Sequence, residues 1–257
     1  NEAGVQALGK PQGTYITLDL SALARREEDA FPRAARALAG ELSGLLKLPQ
    51  GAPALVVGLG NRAITPDAVG PGAADHTMVT RHLVEQVPEH FGAFRPVAAL
   101  AAGVLGTTGV ESGELVRAVT ERIHPACVIA VDALASRSLK RVCTAVQLAD
   151  TGIVPGSGVG NHRAALNRET LGVPVFAIGV PTVVGAAAIV HDTVSALINA
   201  LSQSESTKAT GKWVGDMDSE EQYELIRELL EPEFGPLYVT PPDIDETVKQ
   251  LSFTISE

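Results

Sequence analysis

Two aspartates follow buried strands in the sequence and could form an acid–base pair. Asp67 lies in the loop after the apolar run 54–59, and Asp132 ends the apolar run 127–132. Because parallel strands end at one edge of a sheet, side chains that leave two such strands can meet over that edge. Two carboxyl groups held close together share a proton, so that one can activate water while the other donates a proton. The pair therefore indicates hydrolysis by two carboxylates.

Both aspartates also fit a purely structural role. The stretch Thr65-Pro66-Asp67 has the pattern of an N-cap followed by the first two residues of a short helix. An acid at that place stabilises the helix dipole. Asp132 could likewise cap the segment 133–141. On local pattern alone the capping and catalytic interpretations both remain open.

The end of the first apolar run resembles a dinucleotide-binding fingerprint. Residues 58–63 read GLGNRA, which satisfies G-x-G-x-x-[GA]. Such a turn must open directly into a helix whose N-terminus holds the pyrophosphate. Here Pro66, Gly70 and Pro71 interrupt any helix that begins at Gly60, and no acid-terminated strand follows. We therefore interpret the glycines as shaping a loop at the sheet edge, and we expect no cofactor.

Further polar residues could meet a substrate at the same edge. The segment 155–161 is rich in glycine but lacks G-K-[ST], so it is not a phosphate-binding P-loop. A helical pattern over 71–87 starts near the edge and carries a histidine that is either a surface group, an orienting base or a metal ligand. The candidate substrate-binding residues are Ser157, Gly158, Asn161 and His82.

Alternating strand and helix patterns predict a doubly wound, mostly parallel α/β sheet. Apolar or alternating runs typical of strands occur at 14–20, 54–59, 96–102, 127–132, 144–149 and 173–181. Helical patterns occur at 24–47, 71–87, 111–123, 188–201, 219–230 and 243–252. We predict an α/β catalytic domain over 1–201, a polar loop or linker over 202–216, and a helical appendage over 217–257 packed on the same domain.

Composition excludes several classes of partner. The net charge of −10 argues against direct binding to nucleic acid, which requires a basic surface. No apolar run reaches the ~18 residues of a membrane helix, and the start has no signal-peptide pattern. Cys127 and Cys143 lie in strand-like contexts and are expected to be buried free thiols in a reducing compartment. No Cys/His pair has zinc spacing, so we expect no metal.

Several long strings together resemble the germination protease, or spore protease, family of spore-forming bacteria. They are VVGLGNRAITPDAVGP, TRHL, FRPVAALAAGVLGTTGVESGE, VIAVDALASRSLKRV, DTGIVPGSGVGNHR and ETLGVPVFAIGVPTVV. They occur in order between residues 7 and 201, with a weaker continuation in LYVTPPDID. The resemblance implies a phosphorylase/hydrolase-like fold similar to that of hydrogenase-maturation endopeptidases.

The resemblance also implies a function. The family's members are endopeptidases that degrade small acid-soluble spore proteins during germination, cutting after a glutamate in short acidic sites. They are cytoplasmic, in the spore core, made as zymogens and assembled as homotetramers, and this chain would start downstream of the pro-segment. The proposed family mechanism is an atypical aspartic one, whose two carboxylates correspond here to Asp67 and Asp132. The family pair and the pair found from the residues coincide.

One departure and two alternatives accompany the resemblance. The family usually carries an acid after PTVV, where this chain has Gly185. An acid at that place could shape the substrate pocket. His82 with Asp67 and Asp132 could mimic the metal-recognising set of hydrogenase-maturation enzymes, which would make a metal-dependent endopeptidase. A non-catalytic binder of spore proteins is the other alternative.

Overall fold

A mixed seven-stranded sheet forms the centre of the part of the chain that the structure describes. The structure is a computed structural model and describes residue 5 and residues 9–156, 164–203 and 218–257. The strand order is β1-β5-β6-β4-β2-β3, with β7 also paired to β6. The strands are β1 Tyr15–Asp19, β2 Ala54–Leu59, β3 Val97–Gly103, β4 Cys127–Ser136, β5 Ala145–Ala149, β6 Val175–Gly185 and β7 Tyr238–Val239.

The four strands β3, β2, β4 and β6 are parallel to one another, and the remaining three are antiparallel to their neighbours. The predicted α/β class is confirmed. The strand predicted at 144–149 runs against the parallel set as β5. The link 137–144 from β4 explains this, because a parallel return needs a crossover of about a dozen residues or more.

Helices cover both faces of the sheet. They are α1 Ser21–Ala24, α2 Ala30–Leu46, α3 Val69–His76, α4 Arg81–Gln86, α5 Pro88–Phe91, α6 Leu105–Thr108, α7 Ser112–Ile123, α8 Arg168–Leu171, α9 Ala186–Gln203, α10 Ser219–Phe234 and α11 Ile244–Ser256. Short 3₁₀ segments occur at Thr65–Asp67 and Leu139–Arg141. None of the described helices is both long and apolar enough to cross a membrane.

Two predicted helices differ in the structure. The pattern over 24–47 gives α2, which begins only at Ala30 because Asp29 before it is in the left-handed region at φ 56°. The pattern over 71–87 gives α3 and α4. The chain is extended at Thr77, and the backbone N–H of Thr80 donates a 3.0 Å hydrogen bond to the oxygen of Val97 in β3. This hydrogen bond to β3 stabilises the interruption between the two helices.

The chain winds onto opposite faces of the sheet on the two sides of β2. Helix α3, which follows β2, places Ala73 in a core cluster with Val131 of β4. Helix α7, which follows β3, places Val116 in a second cluster with Ala130, the adjacent residue of β4. Since neighbouring strand residues point to opposite faces, the two helices lie on opposite sides of the sheet. The direction of winding therefore changes between β2 and β4, where open α/β sheets bind their ligands.

Helix α11 packs against α3, α2 and the 3₁₀ segment that contains Asp67. The Ser252 hydroxyl of α11 donates a 3.1 Å hydrogen bond to the backbone oxygen of Val69. Leu251 and Val248 are buried in the same cluster as α3. The helical segment after residue 217 thus contributes to the core beneath β2. The division into domain, linker and appendage stays a prediction, and residues 204–216 of the predicted linker lie outside the described residues.

Candidate active site

The glycines that imitate a nucleotide fingerprint bring two segments of the chain into direct contact. Gly60 has a φ of 112°, and a Cβ atom there would overlap with the backbone oxygen of Asp67 and lie 3.0 Å from its carboxylate. A Cβ atom on Gly58 would likewise overlap with the backbone oxygen of Gly70. Only glycine allows such close approach. The glycines therefore seat the segment 65–70 on the end of β2.

Asp67 is the third residue of the 3₁₀ segment and is half-buried. Its carboxylate accepts a 2.6 Å hydrogen bond from the backbone N–H of Asn61, and its own N–H donates a 2.8 Å bond to Ile64. The predicted cap at Thr65 is wrong, because Ile64 precedes the segment and offers no side-chain cap. The carboxylate instead points back across the loop, where the backbone N–H of Asn61 fixes its orientation.

The sequence predicts that Asp132 ends its strand. In the structure Asp132 instead lies inside β4. Strand β4 continues to Ser136 because β6 extends alongside it, and Asp132 is in register with Gly179 of β6. The capping interpretation of Asp132 is therefore wrong, since further strand residues follow it. The residue is 5% exposed. A carboxylate at such depth in a sheet is uncommon, and buried acids of this kind often serve a site.

The two aspartates belong to the same edge of the sheet. The 3₁₀ segment with Asp67 lies against β4 and β6. Three residues later, Gly70 lies so close to β4 that a Cβ atom would overlap with the backbone oxygen of Val131, the neighbour of Asp132. Both residues therefore occupy the point where the winding changes between β2 and β4. Carboxyl groups at such a point can bind and polarise a water molecule.

Comparison with known proteins identifies the family. The family model described as germination protease matches residues 1–212. The chain belongs to the germination protease family. A germination protease from Caldanaerobacter subterraneus subsp. tengcongensis is 46% identical over 258 residues, covering 100% of this chain and 80% of the relative. One from Clostridium perfringens is 43% identical, covering 100% and 79%. One from Priestia megaterium is 37% identical over 291 residues, covering 99% and 79%.

Among solved structures, one similar chain is the [NiFe] hydrogenase maturation protease HycI from Thermococcus kodakarensis. It has a TM-score of 0.38 and 21% identity, and the match covers 55% of this germination protease family member and 80% of that chain.

Of the other candidate residues of this family member, the structure describes His82 alone. Ser157, Gly158 and Asn161 lie outside the described residues. His82 is exposed on α4, which begins beside Thr80 at the amino end of β3. The expectation that its helix starts near the edge of Asp67 is wrong, because α3 has already carried the chain across the sheet. His82 therefore does not complete a metal-recognising set with the two aspartates.

Metal ligands do not cluster elsewhere in the described ranges either. No group of three His, Cys, Asp or Glu side chains there is close enough to hold a metal ion. The two cysteines are buried and free, and burial raises the pKa of each thiol to about 11. They are protonated at neutral pH and are poor nucleophiles or ligands.

Two glycines of β6 matter to the site in different ways. Gly185 ends the strand in register with Tyr238 of β7, and among the described residues other than its chain neighbours no atom lies within 4 Å of a Cβ atom built there. The first side-chain atom of the acid that the resemblance leads one to expect would therefore meet no clash. Gly179, beside Asp132, was not singled out from the sequence. A lone glycine inside an apolar strand is the signal that could have revealed it, because it marks a close approach.

Proposed function

We propose that this protein is an endopeptidase that degrades small acid-soluble spore proteins during germination, with Asp67 and Asp132 as its catalytic residues. Membership of the germination protease family supports the protease activity. The placement of two carboxylates at the switch between β2 and β4 is the observation that supports these two residues. One of them is fixed by a backbone amide and the other is buried within a strand.

The proposed reaction is general acid–base hydrolysis. One carboxylate accepts a proton from a water molecule while the water oxygen bonds to the carbonyl carbon of the scissile peptide. The carbon–nitrogen bond then breaks as the other carboxyl group donates its proton to the leaving nitrogen. The proton accepted at the start passes to the second residue and restores the pair. Each cycle consumes one water and yields one carboxyl and one amino terminus.

Replacement of each aspartate tests the mechanism. Asp67→Asn and Asp132→Asn keep the size of the side chain but remove its ability to accept a proton. We expect each to lower kcat on a purified small acid-soluble spore protein by at least ~100-fold, without a large change in Tm. Asp245→Asn, an exposed acid on α11, is the matched control and should cut at the rate of the parent. Full activity in either variant of the pair would reject the mechanism.

A chelator distinguishes the metal-dependent alternative. We expect the same fragments at the same rate after dialysis against EDTA. Loss of cleavage that one divalent ion restores would support a metal-dependent endopeptidase instead. An intact substrate held in a stable complex would support the non-catalytic binder, and gel filtration of the mixture would detect that complex.

We further infer from the family that the protein is made as a zymogen, assembles as a homotetramer and acts in the cytoplasm of the spore core. The free chain should then have the mass of four subunits in light scattering. A monomer at micromolar concentration would contradict the tetramer. Introducing the expected acid by Gly185→Glu should alter peptide preference without loss of stability, since the position is open.

A further inference from the structure

One face of β1, β5 and β6 carries an open groove of about 670 Å³. Its floor consists of residues that alternate along the three strands and so point to one side of the sheet. The register places Thr17 of β1 opposite Gln147 of β5, and Gln147 opposite Gly179 of β6. The next row of the floor contains Tyr15, Ala149 and Ala177.

The groove runs directly beside Asp132. Gly179 is in register with Gln147 on one side and with Asp132 on the other, so Asp132 is the next residue of the same row. Leu134, two residues further along β4, lines the groove and lies over Gly179, where a Cβ atom would be 3.0 Å from its Cγ. Alternation puts Asp132 on the face that α7 covers at Ala130. The groove is the part of that face that no helix covers in the described residues.

The charged side chains among the described residues that line the groove are both positive. They are Lys10 and Arg141, in a protein whose net charge is −10. The Lys10 ammonium lies 5.3 Å from the centre of the Tyr15 ring. Arg141, at the end of the 3₁₀ segment after β4, is exposed and has no ion pair within the described ranges. A positive groove in an acidic protein attracts anionic segments and repels cationic ones.

We propose that this groove binds an extended segment of the protein substrate, and that Arg141 is a specificity-determining residue that pairs with an acidic side chain of that segment. This inference rests on the proposed function. A guanidinium offers a planar pair of N–H donors that matches a carboxylate. Because Arg141 lies in the short link that follows β4, the strand of Asp132, the acid that Arg141 holds lies at a constant offset from the bond that is cut.

Arg141→Gln tests the assignment through the preference of the protein for an acidic residue over its amide, and not through activity alone. The substrates are fluorogenic peptides that span a cleaved segment of a small acid-soluble spore protein, with one acidic residue at a time replaced by its amide. We expect the parent to prefer the acid at one position by tenfold or more in kcat/KM. Arg141→Gln should reduce that preference at least fivefold at the same position, and Arg141→Lys should restore part of it. An unchanged preference in Arg141→Gln overturns the assignment.

Arg36→Gln is the matched control, because it removes the same charge from an exposed position on α2, which packs on the opposite face of the sheet. It should leave the preference as in the parent. A loss of preference equal to that in Arg141→Gln would show a general charge effect and reject a specific pair. Unchanged Tm values of both variants confirm that the fold is intact.

A binding measurement separates this inference from the proposed catalysis. Fluorescence anisotropy gives the Kd of the acidic peptide and of its amide analogue. It is measured in the Asp67→Asn background, with and without Arg141→Gln, so that the peptides are not cut during the measurement. If the parent cuts no peptide but Arg141→Gln weakens binding of the acidic peptide alone, the groove stands and the proposed catalysis fails. If the parent cuts peptides and Arg141→Gln leaves both Kd values unchanged, the groove assignment fails. If no peptide binds or is cut, both fail.

Discussion

Gly60 and Asp67 approach each other so closely that a side chain on residue 60 would overlap with the backbone oxygen of residue 67. The φ of Gly60, 112°, is also a value that residues with a Cβ atom rarely adopt. Because Gly60 has no side chain, the backbone of Asp67 can lie against the end of β2, and this contact positions the carboxylate. The amide of Asn61, the next residue, then holds that carboxylate.

Gly60→Ala should displace Asp67. The overlap forces the 3₁₀ segment away from β2, so we expect kcat on a spore protein to fall at least ~10-fold and the free energy of unfolding to fall by about 2 kcal/mol. Gly51→Ala is the control, because Gly51 also has a positive φ, 72°, but no neighbour within 4 Å of a Cβ atom. It should lose about 1 kcal/mol of stability and no activity. Parent-like kinetics in Gly60→Ala would show that the contact does not position the carboxylate.

Gly179→Ala should narrow the proposed substrate groove. The new Cβ atom would clash with the end of Leu134, whose flexible side chain must turn into the groove or towards Asp132. We expect KM for a peptide to rise several-fold and the free energy of unfolding to change by no more than ~1 kcal/mol. In Gly179→Ala/Leu134→Ala the space returns, so KM should approach that of Leu134→Ala alone. Steady-state kinetics on the parent, the two single variants and the double variant measures the coupling between the two positions. Additive changes in log KM would refute this coupling.

The buried thiols should make stability fall at high pH. Burial raises the pKa of Cys127 and of Cys143 from 9.0 to about 11. The folded state therefore holds these protons more tightly than the unfolded chain. Their stabilisation is complete below pH 9 and disappears as the pH rises towards 11. Urea titrations at pH 8 and pH 10 should show a loss of about 1 kcal/mol for each thiol.

The double variant Cys127→Ala/Cys143→Ala controls for other groups that titrate in the same range. Its free energy of unfolding should depend less on pH between 8 and 10, even though its stability at pH 8 is lower. In the parent, both thiols should react with a disulfide reagent at pH 8 only after unfolding. Fast reaction of the native protein would contradict the burial of these groups.

Ser252 connects α11 to the start of α3, next to the candidate site. A Cβ atom on Gly72 would lie 2.5 Å from the Ser252 hydroxyl, so the two helices are in close contact. Ser252→Val should therefore overpack the contact, lower the free energy of unfolding by about 2 kcal/mol and reduce kcat. Ser252→Ala should cost about 1 kcal/mol, through the hydrogen bond to Val69. Ser256→Ala, near the end of the same helix, should change stability by less than ~0.5 kcal/mol. Equal effects of all three would contradict a local contact.

The position of Asp67 was predictable because a buried apolar run and a glycine-rich turn both appear in the local sequence. The antiparallel direction of β5 also follows from the short link 137–144, although the alternation of elements favoured a parallel sheet. The placement of Asp132 inside a strand was not predictable in this way. Residues 133–136 are extended because β6 pairs with them, and that pairing involves residues far along the chain.

The position of His82 was also not predictable from the local sequence. The helical periodicity over 71–87 is continuous, so a single helix was the natural expectation. The break at 77–80 is stabilised by hydrogen bonds between Thr80 and the chain around Val97, including one from the Val97 N–H to the Thr80 hydroxyl. Local periodicity contains no information about this contact. The groove beside Gly179 was missed for the same reason, because three strands from distant parts of the sequence form its floor.

The packing of α11 against the 3₁₀ segment also bears on the order in which the fold is completed during synthesis. Ser252 and Val69 are 183 residues apart in the chain, yet they are bonded to each other. A ribosome that has translated β2, α3 and β4 has therefore produced both aspartates without the helix that supports one of them. The nascent chain cannot complete this support until residues 244–256 have left the exit tunnel, so the contact between α11 and the 3₁₀ segment forms only late in synthesis.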